Sequence, residues 1–467
     1  MKISKFDKHI SKEIFILAVP IIFSNLSRVF MGLADMAMVS RLGAVALAAT
    51  GMGSLLLWVI MSMGIGLRTG VQTVTARRLG QKLFPECGHA LHNGVILALS
   101  IGLPATILGI YYAEMISTLF LFDPLVIPIC TEYMQYGFTG VIFVLTGFAF
   151  QGFYTGVEET KIHMKVTIIS NIINVYLNAG LIYGTEGVSQ FFNNINLPWL
   201  AVLWQWYDFP AWQVKGAAIA TVIASGWMVL QYVFHIFQKK INMYKPNKFQ
   251  FSSSNLIQQI KLGFPVGAQE VISMIGFALF YKIIGTVGTL ELATSEVILN
   301  IAHASFMPAV GVGMAAATLV GKYLGEEKPF KAELAVWSAL GWSLLIMGTM
   351  GLVFIFAPHW VIPVFSDDQQ IISMGIPCLV IIGFLQYFDA IGLTLFFVLT
   401  GAGNTRFPAA INMASCWLLF LPASYILAIH FDLGVIGAWY GFSAWIIPFA
   451  IIMAMKVSTG SWKSIKV

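Results

Sequence analysis

The sequence predicts an all-α membrane protein whose twelve transmembrane helices form two six-helix bundles related by a pseudo-two-fold axis along the membrane normal. Three observations predict it: a composition too apolar for water, twelve runs long enough to cross a bilayer, and a residue pattern that repeats at one fixed offset. Of the 467 residues, 58% are hydrophobic and only 10% are Asp, Glu, Lys or Arg, and the mean hydropathy is +0.82. A soluble domain carries roughly 25% charged residues. The shortfall excludes a soluble enzyme, a disordered chain and a nucleic-acid-binding protein, although the net charge is +5.

A membrane helix needs about 20 mainly apolar residues. Cutting the chain at its polar and Gly/Pro punctuation gives spans over Glu13–Leu42, Leu47–Arg77, Leu91–Tyr112, Leu125–Tyr154, His163–Tyr183 and Gly216–Phe237. A second set of six covers Leu256–Val287, Leu292–Lys322, Leu334–Ala357, Ile371–Thr400, Pro408–His430 and Val435–Met455. The first span follows Lys2, Lys5, Lys8 and Lys12, as a secretory leader would, but it contains Pro20, Asn25 and Arg28 and runs on without a small-residue cleavage site. It reads as a helix that stays in the membrane. The stretch Thr185–Trp212, rich in Trp and Phe, reads as an outer loop lying at the bilayer interface. Cys87, Cys130, Cys378 and Cys416 lie far apart, with no CxxC pair and no histidine at ligand spacing, and read as small apolar fillers rather than zinc ligands or disulfides.

Lys and Arg are retained on the cytoplasmic side of short loops. With the N-terminus inside, that side gathers the four N-terminal lysines, Arg77, Arg78, Lys82, Lys161, Lys165, Lys239, Lys240, Lys322, Lys328, Arg406 and Lys456. The outer loops instead carry Asp123, Glu186, Asp208, Asp367, Asp368 and Asp432. Both termini are therefore expected in the cytoplasm of a cell whose inner membrane holds the protein.

Sliding the sequence along itself pairs Pro20 with Pro265, an offset of 245 that also aligns Gly43 with Gly288, Gly66 with Gly311 and Thr73 with Thr318. Without a gap it continues through Leu79-Gly80 with Leu324-Gly325, Thr155-Gly156 with Thr400-Gly401, and Thr160 with Thr405. Residues 1–240 and 241–467 are accordingly expected to form the two bundles. Six helices per repeat is an even number, so both halves start on the same side. Secondary transporters use such parallel repeats around a central cavity, which opens alternately to each side as one bundle rocks against the other.

Ionisable groups inside a membrane span mark ion or substrate paths when they are not simply paired. Asp35 lies in the outer part of the first span with Arg28 two turns below it, Glu270 near the middle of the seventh and Asp389 near the middle of the tenth. Asn171, Asn174 and Asn178 recur on one face of the fifth span. With Thr221 and Asp35 they are placed to line an oxygen-rich pocket in the first bundle, and otherwise serve as interhelical glue. Glu296, Asn300 and His303 form a similar stripe on the eighth span. Arg68 reads as a packed cation and Lys282 as a snorkelling end residue. Glu270 and Asp389 are expected to approach each other or a shared cavity.

These features resemble the multidrug and toxic compound extrusion (MATE) family over nearly the whole chain. The resemblance rests on Asp35 to Gly43 ending the first span, Ala76-Arg77-Arg78-Leu79-Gly80 after the second, Thr-Gly turns at Thr155 and Thr400, Gly216 to Thr221, and Gly263-Phe264-Pro265. It implies efflux of organic, often cationic or amphipathic compounds in exchange for protons or sodium ions. It places Asp35 at the family's first-helix aspartate and Asp389 at the tenth-helix aspartate of the NorM-type branch. The seventh-helix glutamate of that branch is expected eight residues after Pro265, where Ser273 stands, with Glu270 one turn earlier. Asn174 and Asn178 match a pair whose second member is an aspartate in the DinF-type branch, and Arg28 replaces a residue that is often glutamine. The chain thus falls between the two branches. Its implied partners are small organic substrates and membrane lipids, with no nucleic acid, no cofactor beyond the coupling ion, and a monomeric state. The rival readings are a lipid-linked oligosaccharide flippase of the same wider superfamily, which needs a cationic cavity, and a major-facilitator transporter, whose Asp-Arg pairing after the second helix is missing. No metal cluster, nucleophile with a base or phosphate loop suggests an enzyme.

Overall fold

The computed structural model describes residues 7–467, so Lys2 and Lys5, counted above with the basic side, lie outside the described residues. The described chain is almost wholly helical. The first six spans are α1 Lys8–Ser40, α2 Ala44–Gly80, α3 Phe84–Phe120, α4 built from Val126–Thr139 and Val141–Gly156, α5 Thr160–Asn194, and α6 Gln213–Ile236. The second six are α7 Ser253–Val287, α8 Thr289–Gly325, α9 Pro329–Phe356, α10 Gln369–Gly401, α11 Arg406–His430 and α12 Gly434–Ser458. Asp7 caps α1 by accepting from the backbone N–H groups of His9 and Ile10.

Three sequence expectations change. The fourth span is not straight: its two pieces meet at Gly140 with a 44° bend. The segment after the fifth span is not an open loop. Gly184, at φ 73° and ψ 169°, breaks α5, and the helix resumes from Thr185 to Asn194 before a 3-10 helix at Pro198–Trp204. This segment folds back on α5: Trp204 Nε1 donates to Tyr176 O at 2.9 Å and Trp212 N donates to Leu181 O at 2.8 Å. Finally, the Thr-Gly pairs at Thr155 and Thr400 lie inside the last turns of α4 and α10, and the left-handed residues that turn the chain are Glu158, φ 65°, and Gly403, φ 95°.

The two halves meet along a seam on the face that carries the basic residues. There α2 packs on α7, α1 on α8, and α2 on α8. The first two pairs exchange under the 245-residue offset, and the third is its own counterpart. Small residues let these backbones touch, as membrane helices require where no hydrophobic force drives them together. A Cβ on Gly66 would strike Gly263 O and the backbone of Gly267, and one on Gly311 would lie 2.6 Å from Ile22 Cγ1 and 3.1 Å from its backbone N. Gly80 and Gly325 face each other, each Cβ position falling about 3 Å from the other's Cα, 3.0 and 3.1 Å.

Hydrogen bonds follow the same symmetry. Thr73 Oγ1 donates to Thr400 O at 3.1 Å, and its counterpart Thr318 Oγ1 to Thr155 O at 3.2 Å. Gln72 Nε2 adds bonds to Met314 O and Thr318 Oγ1, both at 2.9 Å, which the second half does not return because Ala317 stands at the equivalent position. The symmetry breaks again at the next turn. Arg77 donates from Nη2 to Ala402 O and Ile465 O, whereas Lys322, its counterpart, forms an ion pair with Glu158 at 2.8 Å. Tyr323 also donates to Glu13. Among the described residues, no hydrogen bond or ion pair joins the two halves beyond the level of Gly66 and Gly311. The seam is sealed at the basic face and parted at the other.

α1 belongs to both halves. Its first half, Ile10, Ile14, Leu17 and Ile21, is buried in one core with Ala315, Leu319, Tyr323, Ala335 and Trp462. Its second half packs on α5. The segment after α12 also crosses the seam: Trp462 is 1% exposed, and Val467 packs with Val74, Ala90 and Leu262.

Gly80→Ala places its Cβ against Lys322 O, which is backbone and cannot rotate aside. Overpacking of this kind costs about 1–3 kcal/mol. Spin labels at Lys161 and Lys331 are expected to move apart in the Gly80→Ala protein, read by pulsed electron resonance. An unchanged distance distribution would mean that the seam yields elsewhere.

Candidate functional site

The asparagine face of α5 meets the outer half of α1. Asn178 Nδ2 donates to Asp35 Oδ1 at 2.5 Å and to Asn174 Oδ1 at 3.2 Å. Asn174 Nδ2 passes the chain on to Thr221 Oγ1 of α6 at 3.2 Å. Asn171 Nδ2 donates to Ser27 Oγ of α1 at 2.7 Å, one step toward the basic face. Four residues singled out in the sequence, Asp35, Asn178, Asn174 and Thr221, are therefore one connected polar chain across α1, α5 and α6. Asn174 and Asn178 are each 1% exposed.

Two features give this chain chemical capacity. Asp35 makes no ion pair among the described residues, so its charge is balanced only by an amide donor. Asn178 Oδ1 is buried without any hydrogen-bond partner. A buried polar atom left unpaired costs about 1–3 kcal/mol. Here it sits on the amide that already holds the carboxylate, ready to accept from a protonated Asp35 or to help ligate a cation.

Arg28 stays clear of this pocket. Seven residues below Asp35 on the same helix, it forms neither an ion pair nor a hydrogen bond with it, because the carboxylate turns to α5 instead. Arg28 lies within electrostatic reach of Tyr232, His163 and Arg68. Glu270 and Asp389 have different surroundings. No hydrogen bond joins them. Glu270 on α7 has Gln269 and the buried Arg68 of α2 as its electrostatic neighbours, while Asp389 on α10 has no hydrogen-bond or ion-pair partner among the described residues. The reason is packing: α10 sits against α8, α9 and α12, whereas α7 faces α2.

Asn300 and His303 do gather with Glu296, as their spacing suggests. Asn300 Nδ2 donates to Glu296 O at 3.0 Å and to Glu296 Oε1 at 3.4 Å. The His303 ring rests against Phe306, centroids 4.9 Å apart. Sequence reasoning missed Tyr281 of α7, whose hydroxyl donates to Glu296 Oε2 at 2.6 Å. It also missed the Glu158–Lys322 ion pair and Arg77. The repeat itself could have flagged Thr73 and Thr318, since paired threonines beside paired Thr-Gly sequences at one offset mark a symmetric contact. Among the described residues there is no group of three or more His, Cys, Asp or Glu able to hold a metal ion, and the four cysteines are free and buried.

The MatE family model matches the chain twice, over residues 20–179 and again over 265–426. The chain belongs to the MatE family. The probable multidrug resistance protein NorM of Thermotoga maritima is 27% identical to it, over 97% of this chain and 93% of that protein. The multidrug resistance protein NorM of Burkholderia vietnamiensis is 26% identical over 94% of this chain and 92% of its own length. In fold, it superposes with a TM-score of 0.84 on a multidrug resistance MATE transporter in an outward-facing conformation, at 20% identity and with 98% and 99% of the two chains covered. The two model matches begin 245 residues apart, at Pro20 and Pro265, so the family pattern and the internal repeat coincide. This is a family of multidrug efflux transporters rather than of enzymes, and the chain is a multi-pass membrane protein.

Asn178→Ala strips Asp35 of its donor, and hydrogen bonds to charged groups are worth about 1.5–3 kcal/mol. Asn171→Ala removes a neutral bond worth about 1 kcal/mol. Unfolding in mixed detergent micelles is expected to show the larger loss for Asn178→Ala. Equal losses would mean that Asp35 is uncharged in this state.

Proposed function

We propose that this MATE protein exports organic, cationic or amphipathic compounds by alternating access, in exchange for protons or sodium ions, and that the exchange runs through Asp35. The observation that carries this reading is the orphaned Asn178 Oδ1 beside the unpaired Asp35 carboxylate. An antiporter needs a group whose occupancy differs between its two states. A carboxylate held by one amide, with a free acceptor at hand, changes its partners when a proton or a cation arrives. Lys and Arg concentrate at the sealed face, which by the positive-inside rule is cytoplasmic. The described state is then open to the outside, with both termini in the cytoplasm and the protein in the cell's inner membrane. One chain supplies both walls of the cleft, so a monomer suffices.

α1 supplies the coupling. Its outer half carries Asp35 into the first bundle, and its inner half is embedded in the second. A change at Asp35 that shifts α1 against α5 is transmitted to the seam along this one helix, which runs through Pro20. Asn174 and Thr221 hold the far end of the polar chain. Glu270 and Asp389, which share no hydrogen bond, are assigned to the cleft floor and the second bundle rather than to a shared ion site. Arg68 lies 7% exposed beside Glu270, and this supports efflux over the flippase reading, since a pyrophosphate would need cations free in the cavity.

The test is transport into and out of proteoliposomes under an imposed proton or sodium gradient, with an organic cation and a lipid-linked sugar side by side. The native protein is expected to move the cation. Asp35→Asn is expected to fall to the level of empty vesicles while remaining folded by size-exclusion chromatography. Full activity in Asp35→Asn, with loss in Asp389→Asn, would move coupling to the second bundle.

A further inference from the structure

The parted end of the seam exposes a second polar cluster, on the opposite bundle from Asp35. Gly311 of α8 faces Ile22 of α1 across the seam, and this fixes which side of each helix looks at the other half. Asn300 stands eleven residues before Gly311, about three turns, so it looks the same way, with Glu296 one turn further out. By the same reasoning Leu33 stands eleven residues after Ile22 on α1 and faces the cleft, with Met36 one turn beyond. These two side chains are 41% and 50% exposed. Asp35, two residues from Leu33, points instead to α5. The cleft wall and the Asp35 pocket are thus on different sides of α1.

On the α8 wall, Glu296 accepts from the Tyr281 hydroxyl at 2.6 Å and from Asn300 Nδ2 at 3.4 Å, while Asn300 is itself tied to Glu296 O at 3.0 Å. The carboxylate is thereby fixed on two helices, α7 and α8. Among the described residues it has no ion pair, although a carboxylate inside a membrane protein ordinarily finds a cation. His303, within its electrostatic reach, rests on Phe306.

We propose that Glu296, positioned by Tyr281 and Asn300, is the recognition site for the charged group of an organic cation in the open cleft, with Leu33 and Met36 across from it receiving the apolar body. The proposal rests on the efflux reading and names the residues that select its substrate. A dispersed organic charge needs one countercharge and neighbouring aromatic and apolar surface. A hard metal ion would need several oxygen ligands, whereas Tyr281 and Asn300 turn their O–H and N–H groups on Glu296. A pyrophosphate would be repelled. Recognition and ion exchange then lie on opposite bundles: the cation meets Glu296 while Asp35 is served from within the first half.

The experiment measures tetraphenylphosphonium binding to the full chain in nanodiscs by equilibrium dialysis, with an uncharged naphthylamine probe in parallel. Glu296→Gln is expected to weaken tetraphenylphosphonium about tenfold and leave the neutral probe unchanged. Glu296→Asp, which keeps the charge, is expected to recover part of that affinity. Tyr281→Phe, which frees the carboxylate to wander, is expected to give a smaller loss of the same kind. Unchanged cation affinity in a folded Glu296→Gln protein overturns the proposal, as does an equal loss for both probes, which would report a damaged cleft. If binding depends on Glu296 but proteoliposomes move no cation, the efflux reading fails while this site stands.

Discussion

Direct backbone contact between the halves at one end is the constraint on which the rest of this molecule depends. Gly66 against Gly263 and Gly267, and Gly80 against Gly325, bring main chains closer than any side chain would permit. Once they are that close, Thr73 and Thr318 reach carbonyls at the ends of α10 and α4. Each of these carbonyls also accepts from a backbone N–H of its own turn, Gly403 N to Thr400 O at 3.0 Å and Glu158 N to Thr155 O at 3.1 Å, so the hydroxyls take up the second acceptor site. A seal made this way is short and local. Among the described residues it leaves the outer halves of α1, α2, α7 and α8 without a hydrogen bond or ion pair to the other half.

Within that frame α1 has an unusual position. A helix in a bundle normally buries one stripe against its own neighbours. α1 buries Ile10, Ile14, Leu17 and Ile21 in the second half's core and binds Asn171, Asn178 and Tyr183 of its own half with its outer turns. Pro20, which lacks an N–H, lies between these two allegiances. One turn on, Ser24 Oγ donates back to Pro20 O at 2.9 Å. The two halves are therefore linked twice, covalently by the connection between α6 and α7 and by packing through this shared helix.

Much of this was legible in the sequence, for physical reasons that differ from residue to residue. The spans were legible because lipid imposes a length on apolar runs, and the repeat because its offset survives without a gap. The Asp35, Asn174, Asn178 and Thr221 pocket was legible because i, i+3 and i+7 spacing fixes a helix face before any tertiary contact exists. Tyr281 was not, since its partner Glu296 lies on the next helix and the hairpin geometry that joins them carries no spacing signal. What Asp35 and Glu270 bond to was not legible from charge. Charge alone says that two groups could interact, but the packing of α1 on α5 and of α7 on α2 decides what each carboxylate reaches. The helix Thr185–Asn194 was missed because Gly184 and a Trp-rich sequence resemble loop punctuation, while Val188, Phe191 and Phe192 carry a short helical pattern.

Gly80 and Gly325 occupy equivalent positions in the two repeats, and they touch. A contact between like positions lies on the symmetry axis itself, the arrangement of an isologous dimer in which one surface meets a copy of itself. The Thr73 and Thr318 bonds complete such a self-complementary patch, reciprocal in the way two identical subunits would be. The interface of this single chain therefore preserves the form of a homodimer of six-helix units inserted in the same direction. Glu158 against Lys322, where the second half has Gly403 and Arg77, is where the two repeats are not interchangeable. Ancestry of this kind is visible at the one place where neither copy could change alone without driving the pair apart.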